Sequence, residues 1–427
     1  MRILKTQDYR LETNVNLFEE DAIETSVKAI LNDVILRRDF ACIEATLKYD
    51  KVSMQSFKMD PNILKQRFEE ADPKLIEALK LAKSRIEAYH TYQIEQSWEV
   101  SDEEGVRYGQ QITPIERVGV YVPGGKASYP STVLMNVIPA QLAKVEDIVI
   151  VSSPNERGEV AESVSVAAYL CGIDEVYAIG GAQAIGALAF GTSEIKKVDK
   201  IVGPGNAYVA KAKQLVFGHV GIDMIAGPSE VLIVVDESAN PSWVAADMLA
   251  QLEHDTMASA IVLSQSEEVL KKVQIEFEKQ LKDLPRQEIL NESKDNAIGL
   301  LATSFEDLVT MINTCASEHC ELHVSEPYEL LKRVKNAGSI FIGDTSAEVF
   351  GDYCAGVNHT LPTSRTARFA SALGVYDFIK RSATLYYPED VMRKHALVVN
   401  TIASEEGLSA HAKAAMIRIK EDNHGKN

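Results

Sequence analysis

From residue 115 onward the sequence alternates short β-branched runs, each ending in turn residues, with longer helical stretches. VGVYV (118–122), DIVIVSS (147–153), EVYAIGG (175–181) and KIVGPG (200–205) are the first such runs. GEVAESVSVAAYLCG, AQAIGALAFG and AYVAKAKQLVFG separate them. An all-apolar strand is buried on both faces, and the order strand, turn, helix, strand makes neighbouring strands parallel. The pattern predicts an α/β protein. A second set begins at SEVLIVVDE (229–237), where Asn240-Pro241 supplies an N-cap followed by proline at the first helical position. The helix PSWVAADMLAQLE, the strand SAIVLSQ (259–265) and the helix SEEVLKKVQIEFEKQLKDL follow. Helix SFEDLVTMINTCASEH, strand ELHVSE, helix YELLKRVKNAG and strand SIFIGD complete the set. Two similar sheets are expected, over 119–228 and 229–345. Residues 20 to 95 read as helices with a restart at Asp72-Pro73, and from about 372 the chain reads as a mostly helical tail.

Charge narrows the partners. Against 62 Asp+Glu stand 44 Lys+Arg, a net −18 with no basic cluster, which argues against nucleic acid or an anionic membrane. Cysteines at 42, 171, 315, 320 and 354 form no disulfide framework, so reduced thiols are expected. The N-terminal stretch lacks a signal-peptide layout, and no run approaches the ~20 apolar residues of a membrane span. A cytoplasmic protein is expected.

Three glycine-rich turns follow strands: 123-PGGKAS-128, 179-IGGAQAIG-186 and 202-VGPGNAYV-209. Such turns bring backbone N–H groups and helix N-termini towards a ligand, often a phosphate. None is a complete GxGxxG, so they do not name the ligand. Gln251 and His254 stand at i and i+3 on a helix face, where they can grip one metal ion or lie in water. Glu318-His319 falls where a helix gives way to a strand, and both groups can carry protons near neutral pH. A helix-terminal pair in water fits those residues equally. His319 and His323 have a metal-binding spacing, but strand alternation from 321 argues against a shared ion. The stretch 350–364 reads as a long polar loop with Asp352 and His359. Cys320 and Cys354 invite a nucleophilic reading, although buried cysteine is commoner. Glu406 and His411 open a late helix, where capping alone accounts for them.

Taken together, RVGVYVPGG, VGPGN, AGPSEVLIVVD, QLEHD, SEHCE, FGDYCAGVNHTLPT and GLSAHAKA resemble histidinol dehydrogenase in order and spacing, over about residues 25 to 420. The resemblance implies one Zn²⁺ per subunit on Gln251, His254, Asp352 and His411, and an acid–base pair in Glu318 and His319. It implies contacts to L-histidinol from Ser229, His359 and Glu406, with the metal ligands and His319. It implies NAD contacts from Tyr121, Gln183 and Asn206. The implied reaction is a four-electron oxidation of L-histidinol to L-histidine through the aldehyde, using two NAD⁺, the last step of histidine biosynthesis. The implied fold is α/β with two incomplete Rossmann-like domains: 25–118 with 229–371, carrying the metal and acid–base residues, and 119–228, contacting NAD. Residues 1–24 would form an N-terminal extension and 372–427 a tail completing the partner's site in an intertwined homodimer. Glu406, His411 and His359 are expected to cross between subunits. A zinc-dependent hydrolase with Glu318 as water activator is the alternative, and a non-catalytic nucleotide-binding module a third reading.

Overall fold

The structure, a computed structural model, describes residues 1–10, 22–124, 128–225 and 227–420. It opens with β1 (Arg2–Lys5) and four helices, α1 (Ala22–Arg37), α2 (Asp39–Tyr49), α3 (Pro61–Glu70) and α4 (Pro73–Thr91). Two strands follow, β2 (Trp98–Ser101) and β3 (Arg107–Pro114). The first alternating set is β4 (Arg117–Val122), α5 (Pro130–Leu142), β5 (Asp147–Ser152), α6 (Glu162–Leu170), β6 (Val176–Ala178), α7 (Gly181–Phe190), β7 (Lys200–Val202), α8 (Ala207–Val216) and β8 (Gly221–Ile222). The second begins with β9 (Glu230–Val235), α9 (Pro241–Leu252), β10 (Ser259–Ser264), α10 (Glu267–Gln280), α11 (Gln287–Ser293) and β11 (Ala297–Leu301). It continues with α12 (Phe305–Cys315), β12 (His319–His323), α13 (Pro327–Leu331), β13 (Ser339–Ile342) and α14 (Glu348–Tyr353). The chain closes with β14 (Ile379–Tyr386), α15 (Glu389–Glu405) and α16 (Ser409–Lys420).

Three sheets result. Sheet A runs β1-β11-β10-β9-β12-β13 and sheet B runs β6-β5-β4-β7-β8, every pair in both being parallel. Sheet C, β14-β3-β2, is antiparallel. Two compact units contain them. Met1–Ile94 with Ile115–Phe378 holds sheets A and B, and Glu95–Pro114 with Ile379–Asn427 holds sheet C, α15 and α16.

The parallel sheets form as their apolar runs dictate. All six residues of β4 are buried, and so are five of six in β5, β9 and β10. The helix starts are chemical: Asp60, Asp72 and Asn240 each accept a backbone N–H ahead of a proline at the first helical turn. Sheet A is covered on both faces, by a cluster including Val231, Ile233, Met248 and Phe277 and by one including Leu232, Leu263, Ile312 and Leu322. Helices α1 and α2, expected with sheet A, share their core with sheet B instead. Val27, Leu31, Val34 and Cys42 pack with Ile179, Ile185 and Leu188. Helix α3 packs on α6, and α4 on α5. Among the described residues no helix is long and apolar enough to cross a membrane.

Candidate active site

Helix α12 stops at Cys315 because Ala316 adopts a left-handed conformation (φ 46°), its N–H closing on the Ile312 carbonyl. The strand then begins at His319, two residues earlier than the expected 321. That register sends His319, Glu321 and His323 to one face of β12 and Cys320 and Leu322 to the other. The second pair joins the apolar cluster. The first three form a fully buried polar row. Helix α9 carries Asp247 and Gln251 one turn apart on one face, whereas His254, expected on the same helix face, follows just past the helix end at Leu252, its N–H donating to the Gln251 carbonyl at 3.3 Å.

At the amino end of β12, Glu318 is buried, and one carboxylate oxygen accepts the Glu230 N–H at 3.0 Å. Burial pushes its pKa up to about 7, against the opposing pull of His319. His319 is bracketed by carboxylates. Its Nδ1 lies 3.5 Å from Glu348 and 3.8 Å from Glu318, and its Nε2 lies 3.6 Å from Asp352. Burial would lower the His319 pKa, but Glu348, Glu318 and Asp352 outweigh it and raise it well above the ordinary value. Neither ring nitrogen makes a hydrogen bond.

Asp352 does not sit in the expected loop. It belongs to the short helix α14, which packs on α9. Two contacts fix that helix: the Glu348 N–H donates to Glu321 at 2.7 Å, and Gly351 lies so close to Phe341 that a Cβ would meet the ring at 2.6 Å. Burial works to raise the Asp352 pKa, yet His319 opposite holds it below the usual carboxylate value. His254 presents an exposed edge, and desolvation lowers its pKa against the opposing charge of Asp352. The Gln251 side-chain oxygen is buried with no hydrogen-bond partner. A buried amide oxygen left unpaired costs roughly 1–3 kcal/mol, so a cation at that oxygen, Asp352 and His254 fits the donors present.

The remaining expected contacts divide. Ser229 immediately precedes β9, the strand paired with β12, and its carbonyl accepts the Ser259 N–H. His359 needs no partner subunit to approach this group. Its Nδ1 is 3.1 Å from the Asp352 carbonyl oxygen of the same chain and its Nε2 3.3 Å from the Thr132 hydroxyl. Glu406 and His411 belong to the second unit, both exposed, flanking the turn at Gly407 between α15 and α16.

At the far end of the polar row, Asp247, Glu321 and His323 bring possible ligand atoms within 4.8 Å of one another, all buried. His323, rather than sharing an ion with His319, faces Glu321 at 3.2 Å. Burial and the Glu321 charge push the Asp247 pKa up to about 7.

The cofactor candidates lie at the carboxyl ends of the sheet B strands. The Tyr121 hydroxyl accepts the Gly181 N–H at 3.0 Å, tying β4 to the start of α7, where Gln183 is buried. Asn206 caps α8 through the N–H groups of Tyr208 and Val209. Residues 125–127 of the first glycine-rich turn, and Ala226 in AGPSEVLIVVD, lie outside the described residues. Gly203 takes φ +107°, and a Cβ there would meet the Tyr121 carbonyl oxygen at 2.1 Å, so position 203 of the 202–206 turn admits only glycine. Lys213 and Asp223, both almost fully buried and ion-paired, clamp this turn. Lys213 donates to the Gly203 carbonyl, and Asp223 accepts the Gly203 N–H.

Sequence reasoning passed over Glu348, Asp247, Thr132 and the Lys213–Asp223 pair. Glu348 and Asp247 left a trace, their i, i+4 spacing to Asp352 and Gln251. All five cysteines are free, and burial raises the thiols of Cys42, Cys171, Cys315 and Cys320. A nucleophilic role for Cys320 finds no support there.

Comparison with known proteins identifies a family. A family model described as Histidinol dehydrogenase matches residues 14–419. The histidinol dehydrogenase of Listeria innocua is 46% identical, the match covering 97% of each chain. That of Aquifex aeolicus is 48% identical over 98% of this chain and 99% of its own. The crystal structure of histidinol dehydrogenase from Elizabethkingia anophelis superposes with a TM-score of 0.91 at 36% identity, covering 95% of this chain and 94% of that one. The chain belongs to the histidinol dehydrogenase family of oxidoreductases.

Proposed function

We propose that the protein oxidises L-histidinol to L-histidine through the aldehyde, with two NAD⁺ as acceptors and one zinc ion per subunit. The observation that carries this reading is the unpartnered, buried oxygen of Gln251 in the last turn of α9, with His254 just past the end of that helix and Asp352 beside the Glu318–His319 pair. Gln251, His254, Asp352 and His411 would hold the ion, and Ser229, His359 and Glu406 the amino alcohol. Tyr121, Gln183 and Asn206 would face NAD. When bound, zinc orients and polarises the substrate, and NAD⁺ takes up the hydrides.

The chain's own part is proton handling. Alcohol, water and two NAD⁺ give carboxylate, two NADH and three protons, so the site must accept protons repeatedly. His319 takes the alcohol proton in its neutral form, so it must first give up the proton that the surrounding carboxylates favour, and those carboxylates then stabilise the charge it gains. Glu318, poised at about 7, takes a proton from the water that adds to the aldehyde. NADH should appear with L-histidinol and NAD⁺, vanish after chelation and return with Zn²⁺. A fully demetallated enzyme that keeps its rate would reject the metal reading.

A homodimer with shared sites is part of this proposal. Leu385, Leu397, Val398 and Ile402 of the second unit are exposed apolar residues, which supports burial against a second copy. Mixing inactive His254→Ala and His411→Ala subunits should then restore about a quarter of the sites. No rescue after verified exchange would reject the shared site.

A further inference from the structure

The residue brought closest to the outer nitrogen of His319 is one that no motif singled out. Glu348 stands at the first position of α14 and Asp352 one turn later, so both carboxylates share a helix face. They hold opposite edges of one imidazole: Glu348 at 3.5 Å from Nδ1, Asp352 at 3.6 Å from Nε2. Glu348 is 1% exposed, and its free oxygen has no hydrogen-bond partner. Its backbone is pinned, since its N–H donates to Glu321 at 2.7 Å and Glu321 is itself on β12, two residues from His319. The strand that carries the imidazole therefore also anchors the helix that carries its two carboxylate neighbours. A contraction of a few tenths of an ångström makes the Nδ1–Glu348 contact a hydrogen bond, and such bonds commonly tighten only when substrate is bound.

We propose that Glu348 is a positioning residue for His319: it accepts the Nδ1–H, fixes that tautomer, and leaves Nε2 as the nitrogen that meets the substrate proton. The role resembles that of the carboxylate behind any catalytic histidine, where the wrong tautomer is inactive although the geometry survives. Glu318 is less suited to it, because it lies 3.8 Å from Nδ1 and one of its oxygens already accepts the Glu230 N–H.

The proposal rests on His319 acting as the base. The test is a cycle of Glu348→Ala, Glu348→Gln, His319→Asn and the doubly substituted enzyme, each checked for zinc content and Tm. Misplacing a catalytic group typically costs on the order of a hundredfold, so Glu348→Ala should lower kcat by about that factor for both alcohol and aldehyde. KM for L-histidinol should stay within about twofold, because an interaction serving only the transition state is lost. Glu348→Gln, which keeps an acceptor at the same reach, should recover part of the rate. In the His319→Asn background Glu348→Ala should cost nothing further. If the alanine variant does not fold, Glu348→Leu fills the space and carries the same expectations. A loss in His319→Asn with wild-type kcat in Glu348→Ala overturns the positioning role alone. So does an added loss in the double variant, or a loss that follows zinc content. Full activity in His319→Asn overturns the acid–base reading, and the positioning role with it.

Discussion

At the amino ends of β9 and β12 in sheet A, buried polar atoms stand without partners, whereas at the carboxyl ends of β4, β6 and β7 in sheet B nearly every polar group is engaged. Gln251, Glu348 and both nitrogens of His319 belong to the first set. Tyr121 on Gly181, Asn206 on the first turn of α8, and Lys213 with Asp223 on Gly203 belong to the second. Unpaired buried groups cost stability, and those around His319 are where the proposed substrate and metal would supply the missing bonds. Paired groups stabilise a backbone shape. On the proposed function, sheet A's end would carry the chemistry, whereas sheet B's end keeps a turn in place.

The contrast breaks most visibly at His319. His319→Asn should reduce the rates of both half-reactions by about 10²–10⁴. It should also lower Tm, because Glu348, Glu318 and Asp352 lose the buried positive charge that they face. Asp223→Ala reverses the pattern. Leaving Lys213 buried and unpaired should cost about 3–5 kcal/mol, read by denaturant unfolding, and loosen the 202–206 turn so that KM for NAD⁺ rises. If Asp223→Ala is as stable as the native chain, the division between the two ends is wrong.

A smaller effect sharpens the chemistry within sheet A's end. If Glu318 takes a proton from water, as proposed, it must be ionised to do so, and burial pushes its pKa up to about 7. Aldehyde oxidation should therefore rise as pH passes upward through 7 and fall roughly tenfold per unit below it. Glu318→Gln should abolish that step and harm the aldehyde half more than the alcohol half. Equal losses with both substrates would contradict the separate duties of Glu318 and His319.

The sequence made some of this legible and concealed the rest for physical reasons. Strands β4, β5, β9 and β10 were readable because burial on both faces leaves unbroken apolar runs. The caps Asp72 and Asn240 were readable because proline marks the first turn. Strand β1 was not, since it finds its partner β11 almost 300 positions away and only tertiary contact makes it a strand. The same holds for sheet C, where β14 pairs with β3. At the site, QLEHD and SEHCE drew attention to Gln251, His254, Glu318 and His319 through local spacing. The polar row was obscured by the register of β12, which an αL alanine sets rather than any apolar pattern. Asp352 reads as part of a loop because a helix as short as α14, pinned by Glu321 and packed on Phe341, carries no periodicity. The membership of α1 and α2 in sheet B's core was equally hidden, because an amphipathic helix does not name the sheet it covers.

The central claim is that one site at the amino end of sheet A carries out both oxidations. Counting NADH formed per L-histidinol consumed, with the zinc-loaded enzyme and limiting substrate, tests it most directly. The account predicts two NADH and L-histidine as the product, with no free aldehyde building up. One NADH, with the aldehyde accumulating in solution, would contradict it.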